Sequence, residues 1–155
     1  MSNMIYEHTQ TGRLMIFAFL IVVFVFVGVL TKTGFEAIIV FYMFFVLFIL
    51  GSFVSLNVVI DEEYLRIKFS YGIFKKRFVL KEIISAKAVK NHWYSGWGIR
   101  RCLLPPMWIY NVSGLDAVEI KMENGKTYRI GTDEPENLEY AIMQAIKQCG
   151  KIIYK

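Results

Sequence analysis

Residues Leu14 to Leu30 read LMIFAFLIVVFVFVGVL, seventeen consecutive residues without a charge. A transmembrane helix needs about 20 predominantly apolar residues to cross a hydrocarbon core of about 30 Å, and extension through Thr31 approaches that length. A helix buried in a small soluble domain would still show a polar stripe, and this run has none. The run therefore predicts a first transmembrane helix over residues 14–31.

A second apolar run of similar length begins at Ala37 and extends to about residue 55. The six residues from Thr31 to Glu36 separate the two runs, which leaves room only for a tight turn. A cleaved signal peptide is the alternative for the first run, since Arg13 resembles a positively charged n-region. No small-residue cleavage site follows the run, and a second apolar run comes directly after it. We therefore expect two retained spans that form an antiparallel transmembrane hairpin.

The distribution of charge divides the chain into segments. Lys32 and Glu36 are the only charged residues between Leu14 and Leu56, whereas residues 57–155 contain sixteen of the eighteen Lys/Arg and eleven of the thirteen Asp/Glu. The predicted organisation is an N-terminal tail at 1–13, the hairpin at 14–56 and a module at 57–155. Basic residues mark the cytoplasmic side of a membrane protein. This rule places the N-terminus and the C-terminal module in the cytoplasm, on a two-span protein of the cell membrane.

The module is predicted to be mainly β. Leu65, Ile67 and Phe69 alternate with polar residues in the period of two that a half-buried strand requires, and Asn124-Gly125 is a strong hairpin signal. An amphipathic helix is predicted from Pro135 to about Gln148. The pattern indicates a partly open barrel or sandwich with about seven strands and one C-terminal amphipathic helix. The predicted strands lie at 57–60, 65–70, 73–80, 83–89, 108–112, 117–122 and 127–130, with a loop at 90–107.

Three short segments resemble a family of small bacterial membrane proteins. They are Trp97–Arg101 (WGIRR), Trp108–Gly114 (WIYNVSG) and Arg129–Asp133 (RIGTD). Together with the two-helix layout, they resemble the bacterial pleckstrin-homology (PH)-like family, whose members carry two transmembrane helices followed by a PH-like domain. The insert Cys102–Met107 departs from the shorter, more polar linker of that family. The resemblance implies a membrane-anchored PH-like binding module.

Positive charge is concentrated in one part of the module. Ten basic residues and one acidic residue lie between Tyr64 and Tyr110. A turn at Tyr71-Gly72 would place Lys68 opposite Lys75, and Arg66 opposite Arg77, on the outer face of a hairpin. Lys76 falls on the inward-facing side of its strand and indicates an open edge of the barrel.

Opposed like charges destabilise a sheet unless an anion or an acidic partner neutralises them. Anionic lipid headgroups are available to a module tethered at the cytoplasmic membrane surface. The hairpin therefore predicts a face that binds anionic lipid or an acidic protein, and the alternative is a solvated face whose charges are screened by salt. The residues of this predicted face are Arg66, Lys68, Lys75 and Arg77.

Aromatic residues are dense in the predicted loop. Trp and Tyr present an apolar body with a polar tip, which suits an interfacial membrane contact or a protein-binding surface. The same residues could instead fill the barrel. A scaffold role, in which this loop or a strand edge recruits a membrane protein or a second copy of the chain, is the alternative function. The residues of this second candidate surface are Trp97, Arg100, Arg101 and Trp108.

Catalytic chemistry is only weakly indicated. His8 and His92 do not fall in a metal-ligand or triad spacing, and the acidic residues Asp61, Glu62 and Glu63 are expected to be solvated in a turn. We therefore predict no catalytic residue, metal site, cofactor or enzyme activity. An accessory subunit of a membrane enzyme or transporter is a further alternative, although the spans contain few polar groups. Nucleic-acid binding is not expected, because the basic face is small and the module is tethered.

Cysteine usage fits an intracellular location. Cys102 and Cys149 are isolated in the sequence and do not form a C-x-x-C motif. Reduced thiols are expected, and the sequence leaves open whether the two cysteines pair.

Overall fold

The computed structural model describes residues 4–92, 98–103 and 105–153, with side chains described as far as Gly150. Within these ranges the chain contains nine strands, three α-helices and one short 3-10 helix at Leu80–Glu82. The strands form two sheets, so the chain is a mainly-β domain with a C-terminal helix and two apolar helices. The elements are β1 (Tyr6–Thr11), α1 (Arg13–Thr33), α2 (Ala37–Gly51), β2 (Ser55–Ile60), β3 (Tyr64–Phe69), β4 (Lys75–Val79), β5 (Ile83–Lys90), β6 (Gly98–Leu103), β7 (Pro106–Asn111), β8 (Asp116–Met122), β9 (Thr127–Gly131) and α3 (Pro135–Ile153).

The first sheet is antiparallel and has the strand order β1-β2-β3-β4. Alternate side chains of β2 and β3 are buried, as expected for strands with one face on a core. The predicted alternation of Leu65, Ile67 and Phe69 is confirmed, since all three are buried.

The second sheet has the strand order β5-β8-β9-β7-β6. Its pairings are antiparallel except for the parallel pair β7 and β9. Gly125 has a φ of 76° in the turn between β8 and β9, which confirms the predicted Asn124-Gly125 hairpin.

The hydrophobic core lies between the two sheets and is closed on one side by α3. The helix contributes a face of buried residues, which are Leu138, Ala141, Ile142, Ala145 and Cys149. The Glu139 carboxylate accepts a hydrogen bond of 2.7 Å from the backbone N–H of Ala88 on the edge strand β5. The predicted amphipathic C-terminal helix is confirmed, and it covers this edge of the second sheet.

The segment predicted as an N-terminal tail contains β1, which pairs with β2 from Tyr6 opposite Ile60 to Thr11 opposite Ser55. The sequence gives little sign of this strand, because Gln10 is the one residue of β1 that is buried. An edge strand can be held mainly by backbone hydrogen bonds to its neighbour. The two apolar helices are therefore inserted between paired strands of one sheet.

The prediction of a continuous loop over residues 90–107 is wrong. β5 extends through Lys90, β6 spans Gly98–Leu103, and β7 begins at Pro106. Arg100 and Arg101 interrupt the apolar alternation that marks a strand, but charged residues are common on an edge strand such as β6. The described part of the domain therefore has nine strands, two more than predicted.

The two apolar helices differ in length. α1 has 21 residues, or about 31 Å at about 1.5 Å per residue, and it is long and apolar enough to cross a membrane. α2 has 15 residues, or about 22 Å, and ends at Gly51, whereas the prediction extended to residue 55. Ser55 belongs instead to β2, where it pairs with Thr11. Among the described residues, α1 is thus the one helix that meets the length of a span.

Candidate functional site: a basic groove on the first sheet

The hairpin of β3 and β4 carries the candidate site. Arg66 lies opposite Arg77, and Lys68 lies opposite Lys75, so the predicted register is confirmed. Because the intervening side chains of β3 are buried, these four residues project from the outer face of the sheet. They contribute to a groove of about 610 Å³ lined by five basic residues and no acidic residue, which we call the basic groove. Its lining residues are Asn57, Val59, Arg66, Ile67, Lys68, Lys75, Lys76 and Arg77.

The arginine pair of the basic groove is partly neutralised within the protein. Arg66 forms an ion pair with Asp61, whose side chain is only 4% exposed. The guanidinium groups of Arg66 and Arg77 also lie 5.8 Å and 4.7 Å from the centre of the Tyr64 ring, which is a cation–π distance. These contacts give both arginines a structural role.

Asp61 is not a solvated turn residue as predicted. Its Oδ1 atom accepts hydrogen bonds from the backbone N–H groups of Glu63, at 2.9 Å, and Tyr64, at 2.7 Å. A short acidic side chain that bonds the backbone two or three residues later holds a turn in place. The carboxylate therefore fixes the connection between β2 and β3 and orients Arg66 at the same time.

The lysine pair is in a different situation. Lys68 and Lys75 are exposed, and in the described ranges no acidic side chain lies within ion-pair distance of either. Lys76 is also exposed, although it lies opposite the buried Ile67 on the inward-facing side of β4. β4 is an edge strand, so the predicted open edge is confirmed. The uncompensated charge of the basic groove is concentrated at these three lysines.

The lysine pair adjoins the turn between β3 and β4, at the end of the domain where the apolar helices emerge. Tyr71 in this turn stacks on Phe48 of α2, with ring centres 5.9 Å apart. The backbone N–H of Ser70 donates a 3.0 Å hydrogen bond to the carbonyl of Ser55, at the start of β2. Three large apolar side chains of the turn are exposed, and they are Tyr71, Ile73 and Phe74. We call residues 70–74 the apolar turn.

The second candidate surface is only partly described. Trp97 lies outside the described residues. Arg101 and Trp108 pair between β6 and β7, with the guanidinium 5.9 Å from the indole ring. Arg100 is the neighbour of Arg101 in the strand and points to the opposite face of the sheet. The described members of this group therefore do not form one surface, and they belong to a different sheet from the basic groove.

Sequence reasoning missed the residues that place the basic groove near the helices. The sequence predicts a turn at Tyr71-Gly72 and a strand from Ile73, whereas β4 begins at Lys75 and Ile73 and Phe74 belong to the turn. The turn reaches α2 because β3, which leads into it, pairs with β2, the strand that follows α2. The available signal was the composition of the turn, since Tyr71, Ile73 and Phe74 are unusually apolar for an exposed connection.

Other titratable groups lie away from the basic groove. His8 Nε2 is 2.6 Å from the Asp133 carboxylate, and burial raises the pKa of Tyr6 to about 12. Cys102 and Cys149 are free thiols. Across the described ranges, no group of three or more His, Cys, Asp or Glu residues could hold a metal ion.

The chemistry of the basic groove suits an anionic ligand. Lysine ammonium groups bind phosphate as point charges, while arginine can bind phosphate or carboxylate with two parallel hydrogen bonds. No protein-family model matches the chain, and a search of curated proteins finds no similar sequence.

Proposed function

We propose that the protein is a membrane-anchored binding module whose basic groove contacts anionic lipid headgroups at the cytoplasmic face of the cell membrane. The observation that carries this proposal is the position of Lys68 and Lys75. Their charge is not balanced by acidic residues in the described structure, and they flank an exposed apolar turn that packs against α2. Apolar side chains bordered by lysines are well suited to the interface between headgroups and acyl chains.

The proposal includes a two-span hairpin formed by α1 and α2. Three residues, Gly34–Glu36, connect the helices, and the strands that precede and follow the hairpin pair with each other. Both helices therefore leave the domain at the same end. A bilayer accommodates the shortfall of α2 at a modest cost.

We also propose that the β-domain is PH-like, as the sequence resemblance implies. Two sheets around one core, with a C-terminal helix that closes one side, support this assignment. The proposed role is binding and not catalysis.

The expected strength of the lipid contact follows from the charge of the lysine pair. Each basic residue near an anionic leaflet contributes roughly 1 kcal/mol, so two lysines contribute about 2 kcal/mol. An anionic headgroup that neutralises the two opposed lysines also removes their mutual repulsion, which is a few tenths of a kcal/mol. Both contributions decrease as salt is added, because the lysines are exposed.

The test uses the full chain reconstituted in phosphatidylcholine vesicles. A truncated chain that starts at residue 57 would lose β1 and the first residues of β2. Spin-labelled phosphatidylglycerol and spin-labelled phosphatidylcholine are compared by the fraction of each lipid that the protein immobilises. We expect a preference for phosphatidylglycerol that decreases in high salt.

Two double variants localise the contact. Lys68→Gln with Lys75→Gln should lower the preference by up to roughly thirtyfold, the equivalent of about 2 kcal/mol. Lys121→Gln with Lys126→Gln is the matched control, because these exposed lysines lie beside the β8–β9 turn at the opposite end of the domain. An equal loss in both double variants, or no preference in the unmodified protein, would contradict the proposal.

A protein partner or a second copy of the chain is the other candidate for binding. The hairpin of β6 and β7 favours it, because β6 is an edge strand and its Leu103 side chain is 76% exposed. Trp108 is 37% exposed on the neighbouring strand. Crosslinking of the protein in native membranes tests this alternative, in which the chain is a scaffold or an accessory subunit. The Leu103→Ser variant should then give less crosslinked product than the unmodified protein. A product that stays monomeric and free of partners would count against it.

A further inference from the structure

A cleft opens between the two sheets on the side opposite α3. Its volume is about 190 Å³, and residues from both sheets line it. α3 covers the edge strand β5, whereas β4 and β6 are the edge strands on the other side. The lining residues of the cleft are Ile67, Phe69, Ile73, Phe74, Lys75, Lys76, Ile99 and Tyr110.

Three polar residues, Lys75, Lys76 and Tyr110, line this otherwise apolar cleft. Tyr110 is only 8% exposed and lines the cleft, where its hydroxyl can donate a hydrogen bond to an acceptor of a ligand. Lys76 supplies an ammonium group from the edge strand β4. A ligand for the cleft should therefore combine an apolar body with a hydrogen-bond acceptor and a negative charge.

The cleft and the basic groove are continuous around β4. Ile67, Lys75 and Lys76 line both of them. An anionic group in the basic groove would thus lie next to an apolar chain in the cleft. The volume of the cleft corresponds to roughly six water-sized groups at about 30 Å³ each, which is enough for a segment of one acyl chain.

The cleft lies near the place where the chain leaves the apolar helices. Phe74 stacks on Phe53, with ring centres 5.3 Å apart, and Phe53 follows the end of α2 by two residues. A Cβ atom at Gly98, the first residue of β6, would also lie 3.9 Å from the Phe53 ring. An acyl chain could therefore reach the cleft from the membrane side of the domain.

We infer that the cleft between β4 and β6 holds part of one acyl chain of an anionic lipid whose headgroup lies in the basic groove. The inference rests on the proposed function and adds a defined lipid site to a general surface contact. In this arrangement the ester carbonyl at the junction of headgroup and chain accepts a hydrogen bond from Tyr110. Lys75 and Lys76 contact the phosphate.

The test uses the full chain in lipid nanodiscs with isotopically labelled isoleucine methyl groups. Phosphatidylglycerol carrying a nitroxide near the end of one acyl chain is compared with phosphatidylcholine carrying the same label. We expect the phosphatidylglycerol label to broaden the methyl signals of Ile67 and Ile99. Ile84, an exposed residue of β5, is the internal control and should stay sharp.

Two variants make the assignment specific. Ile99→Trp fills the cleft and should abolish the broadening at Ile67, while Ile99→Met keeps the volume and should retain it. Lys76→Gln changes an exposed residue and should weaken the broadening without any risk to the core.

The outcomes separate this inference from the proposed function. One outcome is that phosphatidylglycerol is preferred and the Lys68→Gln, Lys75→Gln double variant loses that preference, while the acyl-chain label leaves the Ile67 and Ile99 signals sharp. In that case the cleft site is wrong and the surface contact stands. If the Ile84 signal broadens as much as those of Ile67 and Ile99, the labelled acyl chain contacts the protein nonspecifically, and the cleft site is wrong. Absence of any lipid preference would overturn both.

Discussion

Asp61 determines which half of the basic groove carries unbalanced positive charge. Its carboxylate holds the turn between β2 and β3 and binds Arg66, so the arginine half of the groove is balanced internally. The lysine half has no such partner in the described structure. Ligand binding is therefore expected to depend more on the lysines, and folding more on Asp61.

Replacement of Asp61 tests this division at the level of stability. Asp61→Ala removes the acceptor for two backbone hydrogen bonds and the partner of a half-exposed arginine, so we expect a loss of about 2–3 kcal/mol in the free energy of unfolding. Asp61→Asn keeps an acceptor oxygen and should lose about 1 kcal/mol. Denaturant unfolding in detergent micelles, followed by circular dichroism, measures both. Equal stability of Asp61→Ala and the unmodified protein would contradict the assigned role.

Cys149 provides a pH-dependent test of the core. Burial raises the pKa of its thiol, and its Sγ donates a hydrogen bond of 2.7 Å to the carbonyl of Glu62. The thiolate is the reactive form, so a raised pKa shifts the onset of reactivity to higher pH. We expect iodoacetamide to modify the partly exposed Cys102 first and Cys149 only at high pH or after unfolding. Mass spectrometry of the Cys102→Ser variant measures Cys149 alone, and rapid labelling of Cys149 in the native protein at neutral pH would contradict its burial.

At the scale of single residues, the sequence predicted the pairing of Lys68 with Lys75, because the turn position determines the register of a hairpin. It did not predict the burial of Asp61. Three adjacent acidic residues look alike in a sequence, and the one that bonds the backbone is selected by the geometry of the turn.

At the scale of elements, strands with an apolar face were predictable and polar edge strands were not. β3 has a buried face of Leu65, Ile67 and Phe69, which gives a clear period of two. β1 and β6 lie at sheet edges and carry few buried residues. β1 is held by pairing with β2, which lies far along the chain, and β6 by pairing with the next strand, β7. The local pattern of apolar and polar residues does not encode either pairing.

The contact between β9 and β7 gives a prediction at this scale. A Cβ atom at Gly131 would overlap the Asn111 side chain and lie 3.0 Å from the Asn111 Cα. Because backbone must move, Gly131→Ala should lower the free energy of unfolding by about 1–3 kcal/mol or more. Gly150→Ala in α3 is the matched control, since nothing lies within 4 Å of its added Cβ. Thermal unfolding of both variants measures the difference. Equal unfolding midpoints of Gly131→Ala and Gly150→Ala would contradict the close contact between Gly131 and Asn111.

At the scale of the whole molecule, the pairing of β1 with β2 links the two apolar helices to the domain. The sequence indicated two apolar helices and a mainly-β module, because both have strong composition and periodicity signals. The contribution of residues 6–11 to the first sheet was not predictable, since these residues precede the first apolar helix and lack an apolar face. The domain therefore includes sequence from both sides of the helical hairpin.

The proposed two-span topology predicts opposite exposure of the interhelical connection and the domain. In the Cys102→Ser, Cys149→Ser background, a membrane-impermeant maleimide should label Phe35→Cys in intact cells. Lys126→Cys, in the β8–β9 turn, should be labelled only after the cells are permeabilised. Labelling of both positions in intact cells would contradict the cytoplasmic location of the domain.

The most direct test of the central claim is the distance between the apolar turn and anionic lipid headgroups. A fluorophore is attached to Ile73→Cys or Lys126→Cys in the cysteine-free full chain. Nitroxides on the headgroup of phosphatidylglycerol, or on the quaternary ammonium of zwitterionic phosphatidylcholine, act as quenchers. We expect strong quenching at Ile73→Cys and little quenching at Lys126→Cys. The quenching at Ile73→Cys should be greater with the anionic lipid and should be reduced by Lys68→Gln with Lys75→Gln. Equal quenching at the two positions, or no difference between the two lipids at Ile73→Cys, would contradict the proposed lipid contact.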